Sequence, residues 1–268
     1  MKYYLPRRLY LRYLLHSDSM APNDRSWLAA AYRTANRLYR WRRDPYRPQQ
    51  RDLGAIYIHV PKTGGVSVKH MIYGPHMDGV GLHAPAWEYQ NRQPDLYDRM
   101  FVFATIRHPL LRMQSAFCFL KCGGMRWYDK RWADRWLADY SNVTDMLRAM
   151  RDPAIRFRTM RWVHFIPQRY FVCDLQGNVL VDRLVRTEDF AADMRKICDR
   201  LHQPFQELHE NATPNRQWHT AQFDEETVRL CYAFYRQDYE LFGYDPWPPQ
   251  PVDQGMAAAT PALEAAMA

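Results

Sequence analysis

With 268 residues, 47% of them apolar, the chain is long enough for one large α/β domain with extensions and apolar enough for a buried core. No run of eighteen apolar residues occurs, so no membrane-spanning helix is expected, and the N-terminus, broken by Pro6, Arg7, Arg8 and Arg12, lacks a signal-peptide core. The net charge of +8 belongs entirely to residues 1–52, where twelve basic side chains face four acidic ones. Cys118, Cys122, Cys173, Cys198 and Cys231 are odd in number and scattered, which argues against a disulfide framework. No Cys or His pair near the first two completes a zinc site.

In the basic N-terminal segment, Leu28, Ala31, Tyr32, Ala35, Leu38 and Tyr39 recur at helical spacing, with Arg33, Arg37, Arg40 and Arg43 largely elsewhere. A helix over 24–43 with that pattern packs on its own domain and solvates its arginines, or else lies on anionic lipid or an acidic glycan. The first reading is the plainer one. Asp44-Pro-Tyr-Arg-Pro48 reads as a linker into the core.

The segment Ala55-Ile-Tyr-Ile-His-Val-Pro-Lys-Thr-Gly-Gly-Val-Ser-Val68 organises the rest of the chain. Residues 55–60 are β-branched or aromatic in alternation and predict a buried strand. Pro61 stops it, Gly64 and Gly65 turn the chain, and Val66 to Tyr73 begin a helix. Strand, glycine turn and helix aim backbone N–H groups and a positive helix end at an anion. Lys62 and Thr63 precede the glycines and Ser67 lies in the first helical turn, so the segment reads as a phosphate cradle. From these residues alone an ordinary βα turn is an equal alternative. A Walker A loop is excluded, because the lysine comes before the glycines and no Gly-Lys-Ser/Thr ending is present.

A Gly-, Pro- and His-rich loop over 74–86 carries Gly79-Val-Gly-Leu-His-Ala84, and a loop histidine such as His83 is, by itself, an ordinary polar residue. The other histidine near the cradle, His59, precedes it in the strand. Phe101-Val-Phe-Ala-Thr-Ile106 predicts a second buried strand, ending in Arg107-His-Pro-Leu-Leu-Arg-Met-Gln-Ser115 with a helix from Pro109 to about Lys121. An arginine at a strand end and a serine eight residues on, Arg107 and Ser115, can clamp one phosphate from two sides.

Residues 122–160 are rich in Trp, Arg and Asp, with helices expected at 130–139 and 144–151; aromatics among arginines stack sugars or bases, or simply pack. Next, His164-Phe-Ile-Pro-Gln-Arg-Tyr170 resembles a His-x-x-Pro-Gln segment of known sulfotransferases, a likeness that implies a role in positioning substrate or orienting a core strand. Runs at 170–174 and 179–185 around Gln176-Gly-Asn178 predict a hairpin. Thr187 is a candidate N-cap. Asp224 opens and Gly243 closes a helix over 224–241, with Val228, Cys231, Tyr232, Tyr235, Tyr239 and Phe242 on its buried face. From Pro246 the chain is Pro- then Ala-rich and reads as disordered.

Lys62-Thr-Gly-Gly-Val-Ser67 and the pattern of Arg107, Pro109, Arg112 and Ser115, in that order, resemble the two phosphate elements of carbohydrate sulfotransferases that use 3′-phosphoadenosine 5′-phosphosulfate (PAPS). The likeness is to the group with heparan-sulfate 2-O- and 6-O-sulfotransferases, and it covers roughly 53–245. It implies an α/β, P-loop-like three-layer fold with a central, mainly parallel sheet flanked by helices. It further implies that Lys62, Thr63, Gly64, Gly65, Val66 and Ser67 hold the phosphosulfate, Lys62 also touching the leaving oxygen. Arg107 and Ser115 would hold the 3′-phosphate. Gly81-Leu-His-Ala84 is similar to the segment supplying the family's catalytic histidine, making His83 the expected base and His59 a pocket residue. The acceptor would be a hydroxyl of a glycan or glycolipid, touched from 122–160, with PAPS as co-substrate, no metal and no nucleic acid. Animal Golgi members carry an anchor, so a cytoplasmic, bacterial-type enzyme is expected here, with peripheral membrane contact through 1–52 left open. The organisation expected is a basic helical extension at 1–52, a sulfotransferase domain at 53–245 and a tail at 246–268. Two rivals remain: a small-molecule kinase, which would need a Walker-B aspartate where Arg107 stands, and a non-enzymatic binder of nucleic acid or anionic membrane.

Overall fold

The computed structural model describes residues 44–74, 83–206 and 223–248. Three strands, β1 (Ala55–Ile58), β2 (Phe101–Ile106) and β3 (Arg183–Arg186), form a parallel sheet in the order β1-β2-β3. Ala55 stands opposite Phe101, and Phe103 opposite Arg183. Alternate side chains face opposite ways. Ile56, Ile58, Val102, Ala104 and Ile106 pack with Ala86, Tyr89, Tyr97 and Phe171. Tyr57, Phe103 and Val185 pack with Val68, Met71 and Ile72 of the Gly65–Tyr73 helix and with Met194 and Ile197 of the Phe190–Arg200 helix. Helices therefore cover both faces, the three-layer α/β arrangement expected, and this explains strands that read as continuous apolar runs. A further core joins the helices Pro109–Lys121, Trp127–Trp136, Val143–Ala149 and Glu225–Phe242 around Leu110, Phe117, Leu147 and Tyr235. Among the described residues, no helix is long and apolar enough to cross a membrane.

β2 and the helix after it have the predicted ends, as does the long C-terminal helix to within a residue. Asp224 caps that helix by accepting the Thr227 N–H, and Gly243 closes it at φ +62°. Other expectations are corrected. β1 stops at Ile58, because the Val60 N–H turns back onto the Ile58 carbonyl at 3.1 Å. The two helices expected within 122–160 run over Trp127–Trp136 and Val143–Ala149, since the carboxylate of Asp129 and the side chain of Asn142 take N–H groups at their starts, and a third follows at Pro153–Thr159. The hairpin expected over 170–185 shrinks to a tight turn, with the Asp174 N–H on the Asn178 carbonyl (3.0 Å), the Leu180 N–H on the Val172 carbonyl (2.8 Å) and an antiparallel Cys173–Val179 bridge. Its first arm does not extend as a strand, because Asp238 accepts the N–H groups of Gln168 and Arg169 and Arg169–Val172 turns helical. Its second arm leaves to pair as β3 with β2. Thr187 caps nothing; it begins a short 3-10 turn. The expected linker is packed, with Tyr46 buried and its hydroxyl on the carbonyls of Tyr89 and Gln93. The helix expected over 24–43 lies outside the described residues, as does nearly all of the tail after Pro246.

Candidate active site

The turn after β1 is built by two residues in the left-handed region, Lys62 at φ +70° and Gly64 at φ +75°. For a lysine this costs roughly 1–3 kcal/mol, a strain that folds retain mainly at working sites. Gly64 is the N-cap of the Gly65–Tyr73 helix and makes no side-chain cap. The first N–H groups of that helix therefore lack intrahelical partners and, with the helix dipole, favour an anion. Gly65 is glycine of necessity, because a Cβ there would lie 1.9 Å from Cδ2 of His59, whose ring covers the turn.

Lys62 is partly buried, its Nζ 3.9 Å from the centre of the Phe119 ring. Burial, with repulsion from Arg107 second, pushes its pKa down to about 8. The negative charge of an anion bound here would oppose both effects and favour the protonated form. Thr63 points the other way. At 0% exposure its hydroxyl donates to the Val60 carbonyl at 2.8 Å and lies 2.6 Å from the Thr105 hydroxyl, which is 2.5 Å from that of Tyr57. Only the main chain of Thr63 remains for a ligand. Ser67 is buried in the first helical turn.

Arg107 leaves β2 with its main chain gripped by Gln168, whose Oε1 accepts its N–H at 2.9 Å and whose Nε2 donates to its carbonyl at 2.7 Å. Its guanidinium has no hydrogen-bond or ion-pair partner among the described residues. Burial lowers its pKa, and Glu188 is the strongest opposing charge. Glu188 itself is engaged, accepting the His108 N–H and the Tyr244 hydroxyl. Ser115 is buried on the helix that starts two residues after Arg107. Arg112, between them in sequence, is a strut. At 2% exposure it donates to the carbonyls of Pro61 (3.4 Å), His164 (3.1 Å) and Ile166 (2.6 Å).

His83 has φ +46°, and its Nδ1 lies 3.0 Å from the His59 carbonyl. A carbonyl only accepts, so Nδ1 carries the proton and the lone pair of neutral His83 is on Nε2. Its ring lies 4.4 Å from that of His59. His59 is held well below the ordinary imidazole range by burial first and then by His83, Lys69, His164 and Lys62. Two further residues stand here: His164, 6.4 Å from His83 between ring centres, and Asp129, 3.5 Å from His164 Nε2. Their pairing spans 35 residues, and only the His164 segment drew notice in the sequence.

Among the described residues, no three His, Cys, Asp or Glu side chains group as metal ligands. A groove of about 610 Å³ is lined by Trp127, Lys130, Arg131, Asp134 and Arg135. At 100° per residue Trp127 and Arg131 lie on the opposite side of their helix from Asp129, so this groove faces away from the histidines.

A helix N-terminus and a desolvated lysine at the first turn of a parallel sheet, with an arginine unpaired among the described residues just after β2, can receive a multiply charged anion. The chain matches the sulfotransferase family over residues 49–245, and it belongs to that family. No curated protein and no solved structure matches it. Sulfuryl transfer is thus the activity of its class.

Proposed function

We propose that the protein moves a sulfuryl group from PAPS to a hydroxyl of a glycan or glycolipid. The observation that carries this is Arg107, a desolvated guanidinium without a carboxylate partner among the described residues, coupled electrically to Lys62. Two cations in one corner fit a donor with phosphates at both ends of its ribose. Lys62 and the main-chain N–H groups of 63–67 would take the phosphosulfate, with the hydroxyl of Ser67, and Arg107 with Ser115 the 3′-phosphate. The bound donor supplies an activated sulfate. The acceptor oxygen bonds to sulfur as the bond from sulfur to the phosphate oxygen breaks. His83 takes the hydroxyl proton on Nε2, and protonated Lys62 meets the charge that grows on the departing phosphate. The kinase reading finds no support, because the Thr63 hydroxyl is turned into the core and the residue that follows β2 is Arg107, not an aspartate. All five cysteines are free, which suits a reducing compartment. A cytoplasmic enzyme, its basic 1–52 segment at an anionic membrane, completes the proposal.

The test is transfer of labelled sulfate from PAPS to a panel of glycans and glycolipids, with mass spectrometry of the products and calorimetry of 3′-phosphoadenosine 5′-phosphate. A sulfated hydroxyl and a clear preference for the 3′-phosphorylated nucleotide are expected. Equal affinity with and without the 3′-phosphate, together with no transfer, overturns it.

A further inference from the structure

Asp129 and His164 belong to neither phosphate element, yet the fold sets the His164 ring 6.4 Å from that of His83, with Asp129 behind it. Asp129 is buried at the start of the Trp127–Trp136 helix, where its Oδ2 accepts the N–H groups of Met125 (3.3 Å) and Arg126 (3.2 Å). Gly124, at φ +67°, makes room for it; a Cβ there would lie 2.2 Å from the Asp129 Cβ. The other oxygen, Oδ1, has no hydrogen bond within the usual geometric limits and faces His164 Nε2 at 3.5 Å.

His164 is 8% exposed, with its ring edge-on to Phe119 (4.9 Å) and to His83 (6.4 Å). Facing a carboxylate, Nε2 carries the proton, so the lone pair is on Nδ1, which is buried without a partner among the described residues. A helix cap needs only one carboxylate oxygen, and a space-filling ring needs no nitrogens. The second oxygen and the orphaned nitrogen ask for another account.

We propose that Asp129, acting through His164, is a positioning pair for His83, seating its imidazole and favouring the cation it becomes when the acceptor proton arrives. The proposal rests on the sulfuryl-transfer reading of His83 as base. The charges that act most strongly on His164 are Asp129, Lys62 and Arg112. Those on His59, beside His83, are His83 itself, Lys69, His164 and Lys62. Of these groups Asp129 alone is acidic, and it also supports the protonated form of Lys62. Burial works to raise the Asp129 carboxyl, but the facing His164 ring and the bonds from the two N–H groups outweigh it and keep the group ionised. His164 stays below its ordinary range because burial outweighs Asp129. Near neutral pH, then, a neutral imidazole links a carboxylate to the site.

The experiment is an imidazole NMR titration of the full chain, with pH–rate profiles from PAPS, for the wild type, Asp129→Asn and His164→Asn. Asparagine at 129 keeps an oxygen for the two N–H groups. In Asp129→Asn the His83 midpoint should fall by roughly half a unit to one unit. The acid limb of the rate profile and the alkaline limb of Lys62 should fall with it, while affinity for 3′-phosphoadenosine 5′-phosphate stays within about threefold of the wild type. In the double variant the second substitution should add little, as for two residues acting as one unit. An unmoved His83 midpoint in Asp129→Asn overturns the proposal whatever the activity. If that variant fails to fold, an unmoved midpoint in His164→Asn does so. A midpoint that falls in Asp129→Asn, beside a wild type that transfers no sulfuryl group, upholds the pair and fells the sulfuryl-transfer reading instead.

Discussion

Gly65 and His59 offer the sharpest test of the turn. A Cβ at Gly65 would lie 1.9 Å from Cδ2 and 2.1 Å from Nε2 of His59. Ordinary contact needs about 3.5 Å or more, so the ring or the start of the helix must withdraw by roughly 1.5 Å. The ring has little freedom, since Tyr57 stacks on it at 5.9 Å and His83 lies at 4.4 Å. Overpacking of this kind costs about 1–3 kcal/mol. Gly65→Ala should therefore lower Tm by about 2–4 °C for each kcal/mol lost. Displacing the helix N–H groups should also weaken 3′-phosphoadenosine 5′-phosphate, by about tenfold for each charged hydrogen bond lost. The clash belongs to a pair, so removing the ring should relieve it: in a His59→Ala background the same substitution should cost almost nothing in either measurement. His83 keeps its seat in that background, because its partner at 59 is the carbonyl. Thermal unfolding and calorimetry on the four proteins give the coupling energy. Equal losses in both backgrounds would refute the argument that His59 is what demands glycine at 65.

Arg107→Ala should weaken the 3′-phosphorylated nucleotide by tenfold or more, as loss of a charge-assisted hydrogen bond of about 1.5–3 kcal/mol requires, while leaving the nucleotide without that phosphate unaffected in calorimetry. Thr63→Val should cost about 1–3 kcal/mol in urea unfolding, since it strands the Val60 carbonyl and Thr105, yet change nucleotide affinity less than threefold; a tenfold loss would put the hydroxyl on the ligand. For Lys62 the protonated form is the active one, so kcat/KM should fall as pH rises through about 8, the value to which burial and Arg107 bring the free enzyme. Lys62→Ala should lower kcat more than donor affinity and abolish that limb.

Local chemistry made part of this fold legible. Pro109 at the first turn, Asp224 as cap and Gly243 as stop fix their helices with neighbours only, and the strands β1 and β2 are apolar enough to need cover on both faces. The glycine turn between β1 and the next helix was legible for the same reason. The hidden parts depend on distant partners. The apolar runs after Gln168 suggested a hairpin because their true mates, Asp238 and β2, lie some 70 and 80 residues away. The sequence could not say which way Thr63 turns, since its partner Thr105 is on the next strand. Arg112 sits in a phosphate motif yet serves three carbonyls, and the pairing of Asp129 with His164 crosses two helices.

These long-range contacts converge on one short stretch, residues 164–168. Arg112 binds the carbonyls of His164 and Ile166 and, with the same guanidinium, that of Pro61 at the head of the phosphate turn. Two residues on, Gln168 holds both main-chain groups of Arg107, and its own N–H is held by Asp238 of the last helix. The turn that bears Lys62, the strand end that bears Arg107 and the histidine that faces His83 are thereby fastened to one backbone segment. The donor proposed above carries two phosphates at a fixed separation and would need two cations at a matching one, which strands that meet only through a sheet do not by themselves guarantee. Burying an arginine without a carboxylate is costly, and the carbonyls offset that cost only if they stay in place. The segment must therefore be rigid for Arg112 to be tolerated at all, and that same rigidity is what in-line transfer between two anchored groups demands.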